Sequence, residues 1–356
     1  MNFLRKIFGP ITTHEVPPKS NRTVCSDAVE SHPKASIAVT SNDDSKSPIS
    51  TNAAVETTLL TVPGPVWLPT DSPAAELFPV KAGDAPIIAF IGGSAELDPD
   101  LARDPAHAAG PALLSRALPL YLAEQIELTT HAMAQTLVSW IVKPQPGFIM
   151  GGKNWDDATA SRHASRGEIA DPADYVVVSH LLCLADPWLI ELRLVRTSDA
   201  VCLATISASC PASDPGAAIP GLTRSLLAHL NKEAKITADP GADPFKTPEL
   251  PSKGISAYLL SLEQLLGVRI ATLNGDGATL HHETAILEHQ LGFCLAAPGH
   301  LPGRLLFAHT LHALSSLKPD VVDSLREGAT QLNHKHPLPE TAQSVLDRLH
   351  DDTFAA

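Results

Sequence analysis

Hydrophobic and polar positions are most orderly between Tyr175 and Cys210, "YVVVSHLLCLADPWLIELRLVRTSDAVCLATISASC". In "WLIELRLVR", Leu189, Glu191, Arg193 and Val195 fall on one side of an extended chain, and Ile190, Leu192, Leu194 and Arg196 on the other. "ADYVVVSHLLC" before it and "VCLATISASC" after it read as strands, joined through "ADP" and "TSDA". Connections that short make neighbouring strands antiparallel, so the stretch predicts a meander. Ile190, Leu192 and Leu194 are the expected core face, and Glu191 and Arg193 the wetter one.

Upstream, "PIIAFIGG" is a continuous apolar run closed by Gly92 and Gly93, which predicts a buried strand. "LDPDLARDPAHAAGP" reads as loop. "PALLSRALPLYLAEQIELTTHAMAQ" has helical spacing, with Pro119 placed to kink or split it. "TLVSWIVKPQPGFIM" predicts a second strand, and Pro144 and Pro146 suggest an edge position or a bend. "NWDDATASRHASRGEIA" reads as a surface helix. "DPGAAIPGLTRSLLAHLNKEA" follows the meander as a helix with Leu222, Leu226, Leu227 and Leu230 on one side.

In "TADPGADPFKTPELPSK", Pro240, Pro244, Pro248 and Pro251 exclude a helix or central strand and predict a linker. Beyond it the pattern is helical to the end, with Gly and Pro marking starts and stops. From Gly9 to Val66 there is no aromatic residue, and the segment is rich in Ser, Thr, Asn, Pro and Asp. That composition predicts a disordered tail, with order beginning near Pro86. The expected organisation is a tail over residues 1–80, a mixed α/β domain containing the antiparallel meander over 81–236, a Pro-rich linker over 237–253 and an all-α domain over 254–356.

The order strand, helix, strand, helix and meander resembles the TolB amino-terminal-like (FlgO-like) domain family between Pro86 and about Ala234. Ala173, Asp174, Tyr175, Val176 and Val177 match that family's first meander strand, and Leu192, Arg193, Leu194 and Val195 its second. Ser198 and Asp199 replace its Gly-containing turn. "GHLPGRLLFAHTLHALSSLKPD" is similar to one tetratricopeptide unit, without a second copy at that repeat's period. The resemblance implies regulatory, assembly or protein-binding roles, and it supplies no active-site residues.

Charge and candidate chemistry narrow the classes. The formal charge of −13 argues against a nucleic-acid partner, since phosphate binding needs clustered Lys and Arg. The five cysteines follow no paired spacing, which suits buried thiols in a reducing cytoplasm. No apolar run is long enough to span a membrane. Phe3, Leu4, Ile7 and Phe8 around Arg5 and Lys6 leave peripheral membrane contact open for residues 1–8. Gly92 and Gly93 lack the spacing of a phosphate loop, so no nucleotide or other cofactor is expected.

Nine of the sixteen histidines lie from His281 onward. His282 and His289 on one helix, with His309 and His312 on the next, are the metal candidates, with Glu283 or Glu288 as carboxylate partners. Their spacing is not HExxH, and histidines satisfied in the core or solvated are the expectation. Trp155, Asp156, Asp157 and His163 form a polar group in which the aspartates suit a helix start better than acid–base work. No catalytic site is expected. The leading function is a non-enzymatic protein-interaction, assembly or regulatory protein, with a protein partner on the helical domain. The alternatives are a ligand-binding regulatory sensor and a metal-dependent enzyme whose site is invisible in sequence.

Overall fold

The computed structural model describes residues 56–69, 71–100, 104–143, 146–166, 171–239, 249–274 and 282–354. Among the described residues, eight strands form one mixed sheet. They are β1 Glu56–Pro63, β2 Ile87–Ile91, β3 Ala95–Leu97, β4 Met133–Lys143, β5 Gly147–Phe148, β6 Tyr175–Cys183, β7 Trp188–Arg196 and β8 Val201–Cys210. The order across the sheet is β1-β4-β2-β6-β7-β8, with β3 beside β6 and β5 beside β4. β4, β2 and β6 run parallel, while β1 and the meander strands β7 and β8 are antiparallel to their neighbours. The mixed α/β class is therefore as read from the pattern. The meander has the expected faces, with Ile190, Leu192 and Leu194 fully buried.

The helices are α1 Pro105–Thr129, α2 Asp157–Ala164, α3 Ile219–Ala234, α4 Ser252–Asn274, α5 Glu283–Ala296, α6 Leu301–Ser315, α7 Pro319–Lys335 and α8 Glu340–Phe354. One sheet face carries Ile88, Phe90, Val177, Leu192 and Ile206 against α1 and α3. The other carries Ala89, Ile91, Val176, Val178 and Val195 against Ala160 and Ala164 of α2. A third cluster joins Leu60, Val62 and Trp67 to Leu120 of α1 and to residues of α4 through α8, including Tyr258, Leu305 and Leu346. The helical half is thus attached to the sheet by continuous apolar packing. Residues 240–248 of the expected linker lie outside the described residues. On their near side Asp239 pairs with Lys81 at 3.4 Å, and beyond them α4 starts at Ser252.

Four sequence expectations are corrected. The tail does not reach residue 80, because Glu56–Pro63 is a full strand paired with β4 from Glu56↔Lys143 to Pro63↔Gln135. The following segment is pinned by the helical half: Arg269 donates to the Val66 carbonyl, Ser72 Oγ meets His309 Nε2 at 3.0 Å, and Glu76 pairs with Arg348. The first 55 residues lie outside the described residues. β4 is not an edge strand, since β1 covers it; the alternative of a bend holds, because β4 ends at Lys143 and β5 returns antiparallel along it, with Pro144 itself outside the described residues.

The supposed loop before Gly110 is the first turn of α1. Asp104 caps it by accepting from the Ala106 N–H, and Pro105 occupies the position where a missing N–H costs nothing. Finally, Pro119 does not split α1, which is continuous from Pro105 to Thr129. Without an N–H at Pro119, the Ser115 carbonyl loses its helical donor. The Gly93 N–H takes that place at 3.0 Å. A Cβ on Gly92 would lie 2.4 Å from the same carbonyl, so only glycine allows the approach. Gly92→Ala is expected to destabilise by about 2 kcal/mol. A denaturant midpoint equal to that of the wild type would show that this contact has room to spare.

α1 lacks a polar face for most of its length. Leu114, Leu118, Leu120, Leu122, Ile126 and Leu128 are all buried, although they point in several directions. The helix lies between the sheet and the helical half, and a helix apolar all round is stable only in such a position.

Candidate functional site

The four candidate histidines do not converge. His282 is an exposed residue preceding α5, with a left-handed backbone (φ 68°). His289 is half-buried, its Nε2 3.1 Å from the Ala257 carbonyl. His309 is buried on Ser72, and burial pushes its pKa down to about 3, with Arg269 and His312 adding to the shift. His312 is exposed. Among the described residues no group of three His, Cys, Asp or Glu is arranged to hold a metal ion. Asp156 caps α2 by accepting from the Thr159 N–H at 2.8 Å, which holds its carboxyl below the usual range. Asp157 binds Arg193 at 2.6 Å, and the Trp155 indole donates to the Gly92 carbonyl. Trp155 also meets the His163 ring edge-on at 5.8 Å. Cys183 and Cys294 are buried free thiols, each pushed up to about 12 by burial; Cys210 is buried and Cys202 exposed.

Two polar centres emerge that no spacing rule announced. The first lies at the carboxyl ends of the parallel strands, where the connections from β2 and β4 leave on opposite faces. Open α/β sheets commonly bind ligands at such a point. Ser94 Oγ lies 2.9 Å from His180 Nδ1, and His180 Nε2 faces Glu96 Oε1 at 3.5 Å. Glu191 is directly across from His180 in the register, and Asn154 donates to it. Arg193 binds Asp157, Asn154 and the Trp155 carbonyl. Burial pulls the His180 pKa down, partly offset by Glu96 and Glu191.

Hydroxyl, imidazole and carboxylate in that order could relay a proton to a nucleophile. Here, however, Ser94 is 1% exposed and within 3.2 Å of the Ser179 carbonyl as a second partner. The arrangement fastens β3, β6 and the loop before α2 together, and it gives a substrate no approach to the hydroxyl.

The second centre is Glu124 of α1, which is completely buried. The Trp67 indole donates to its Oε2 at 2.6 Å, and the Tyr258 hydroxyl donates to the same oxygen at 2.7 Å. Burial drives its pKa up to about 7 despite bonds from Tyr258, Trp67 and Gln125 that favour the carboxylate. Its charge in turn adds to the burial that raises the phenol pKa values of Tyr121 and Tyr258. The side chain of His300, edge-on to Tyr258 at 4.8 Å, is pushed down to about 4 by burial. Glu124 therefore joins the strand side, α1 and α4 through one carboxylate. Its sequence signal is one of two acids, Glu124 and Glu127, in the otherwise mostly apolar run "LYLAEQIEL".

The third feature is an edge. β8 is ten residues long and pairs only with β7 among the described residues. In an antiparallel pair every second residue of an outer strand points its N–H and C=O away from its neighbour. β8 contains no charged residue and no proline, and Val201, Cys202, Thr205, Ser207 and Ser209 are exposed. Charges, Pro and mid-strand bulges are the usual guards against unwanted pairing. The only register shift with β7 is near one end, between Leu194 and Val195. The opposite edge differs: the middle of β1 is buried.

A smaller recess lies between α6, α7 and α8, lined by Phe307, Leu311, Leu346, Phe354 and the guanidinium of Arg304. Arg304 is spent on the carbonyls of Pro298 and His336 and on Asn333 Oδ1. In the helical half, Leu295 is the one large hydrophobic residue more than half exposed among the described residues. No helix among them is long and apolar enough to cross a membrane. Neither a protein-family model, nor a curated protein, nor a solved structure matches the chain.

Proposed function

We propose that the chain is a non-enzymatic protein-interaction protein, with an assembly or regulatory role, that works by accepting a β-strand along β8. The observation that carries this reading is the ten-residue unguarded edge. Strand addition draws affinity from main-chain hydrogen bonds, and β8 offers these with no charge to repel an incoming chain. The likeness of residues 86–234 to TolB amino-terminal-like domains favours the same class. Free cysteines suit the reducing cytoplasm. A partner on the helical half is the second reading, and the apolar recess between α6, α7 and α8 favours it. A sensor or enzyme reading has weaker support, because both buried polar centres are closed by their own side chains.

The test uses the full chain as bait in extract of its host, beside two variants. Thr205→Lys/Ser207→Lys places charge on the edge, and Ala308→Arg fills the recess. Proteins held by the wild type and by Ala308→Arg, but lost from the edge variant, support strand addition. Proteins kept by the edge variant and lost from Ala308→Arg move the contact to the helical half. Turnover of a metabolite by a chain that holds no protein overturns the class.

A further inference from the structure

We propose that the strand β8 receives is β8 of a second copy of this chain, giving a two-fold dimer with one continuous sheet. This rests on the reading of β8 as a strand-accepting edge and names the occupant. The formal charge of −13 makes most close approaches between copies repulsive. β8 is a stretch of ten residues where this repulsion has no source of its own, since "VCLATISASC" contains no ionisable carboxylate, amine or guanidinium. At its start, Arg196 and Asp199 of the β7–β8 turn neutralise each other at 2.7 Å.

The strand is also compatible with itself. Antiparallel pairing about a two-fold axis perpendicular to the sheet puts residues of the same face opposite one another. Centred on Thr205, it sets Thr205 against its own counterpart on the α2 side, where Ser207 and Ser209 also point. On the α3 side it sets the small Ala204 against the partner's Ile206. No large side chain meets another, and Thr and Ser can bond across the pair. The axis keeps each copy's α3 layer on one side and its α2 side on the other. Such a pairing is closed, so both open edges are used and no fibre grows. The chain covers its other edge itself by burying the middle of β1. A second copy completes the same protection at β8, and it is present wherever the protein is.

The experiment measures molar mass by light scattering on the full chain and on two edge variants, Thr205→Lys/Ser207→Lys and Thr205→Glu/Ser207→Glu. These side chains are exposed, so the substitutions leave the core intact. The wild type is expected to be a dimer. Each variant alone is expected to associate at least about a hundredfold more weakly, because like charges meet across the axis. Mixing the two variants is expected to restore a dimer containing one of each, a result that a folding defect cannot produce. A wild type that remains monomeric at its highest attainable concentration overturns the proposal. So does a dimer that both variants form equally well. If the wild type is monomeric and the edge variant nevertheless loses a host protein that the wild type holds, the second copy is wrong and the strand-accepting edge stands.

Discussion

Leu192→Asp is expected to cost about 4 kcal/mol or more of folding stability, a large share of the total for most domains. Leu192 is fully buried, opposite Ser179 on one neighbouring strand and Ile206 on the other. It packs in the cluster that holds α1 and α3 to the sheet. An aspartate there must either bury its charge without a partner or take up a proton. Glu191→Ala, one residue away on the opposite face, loses a 3.3 Å bond from Asn154 and is expected to cost only about 0.5 kcal/mol. Urea titrations of the two variants read the contrast directly. Equal midpoints would mean that the strand does not alternate between core and solvent.

The second large effect is a dependence on pH. Glu124 titrates at about 7 in the folded chain, raised from an ordinary 4.5 by burial. Between those values the folded state holds a proton that the unfolded state has released. Stability contributed by this group is therefore lost as pH rises from about 4.5 through 7, and the loss amounts to about 3 kcal/mol. His300 and His309 act in the opposite direction. Their pKa values are depressed to about 4 and about 3, so their contribution is present above the ordinary 6.5 and falls away as pH is lowered. The wild-type curve is a sum in which these partly cancel.

Glu124→Gln isolates the carboxylate. The amide oxygen still accepts from Trp67 and Tyr258, and no charge forms. The stability of this variant relative to wild type should rise by about 3 kcal/mol between pH 5 and pH 8, read from denaturant midpoints at each pH. A difference that stays flat would mean that Glu124 ionises as if it were in water.

The meander could be read from sequence because its information is local. A period of two and short turns determine both pairing and faces, and Leu192 needs no distant residue to declare its side. The helices of the second half were legible for a similar reason, since Gly and Pro mark most of their ends. β1 was missed because "ETTLLTVP" follows a long polar stretch and precedes Pro65, Pro69 and Pro73. What orders it is β4 and the helical half, which lie far along the chain. The start of α1 was missed although Asp104-Pro105 is a sound helix opening; the density of Pro, Gly and Ala overrode it. Ser94 with His180 and Glu124 with Tyr258 stand 86 and 134 residues apart, and no motif encodes those distances. The neutrality of β8 was visible in its letters, but its position at an edge was not.

The early anchoring of the segment after β1 also has a consequence in time. Ser72 must wait for His309, 237 residues later, and Glu76 for Arg348, 272 residues later. At ribosomal speeds of roughly 5–20 residues per second, Arg348 follows Glu76 by about 15–55 s. Trp67, whose indole is completely buried in the finished protein, spends much of that interval without Tyr258 or the α4 helix to cover it. A nascent chain halted before α4 would therefore display that tryptophan and the adjoining apolar strand, the kind of surface that chaperones bind.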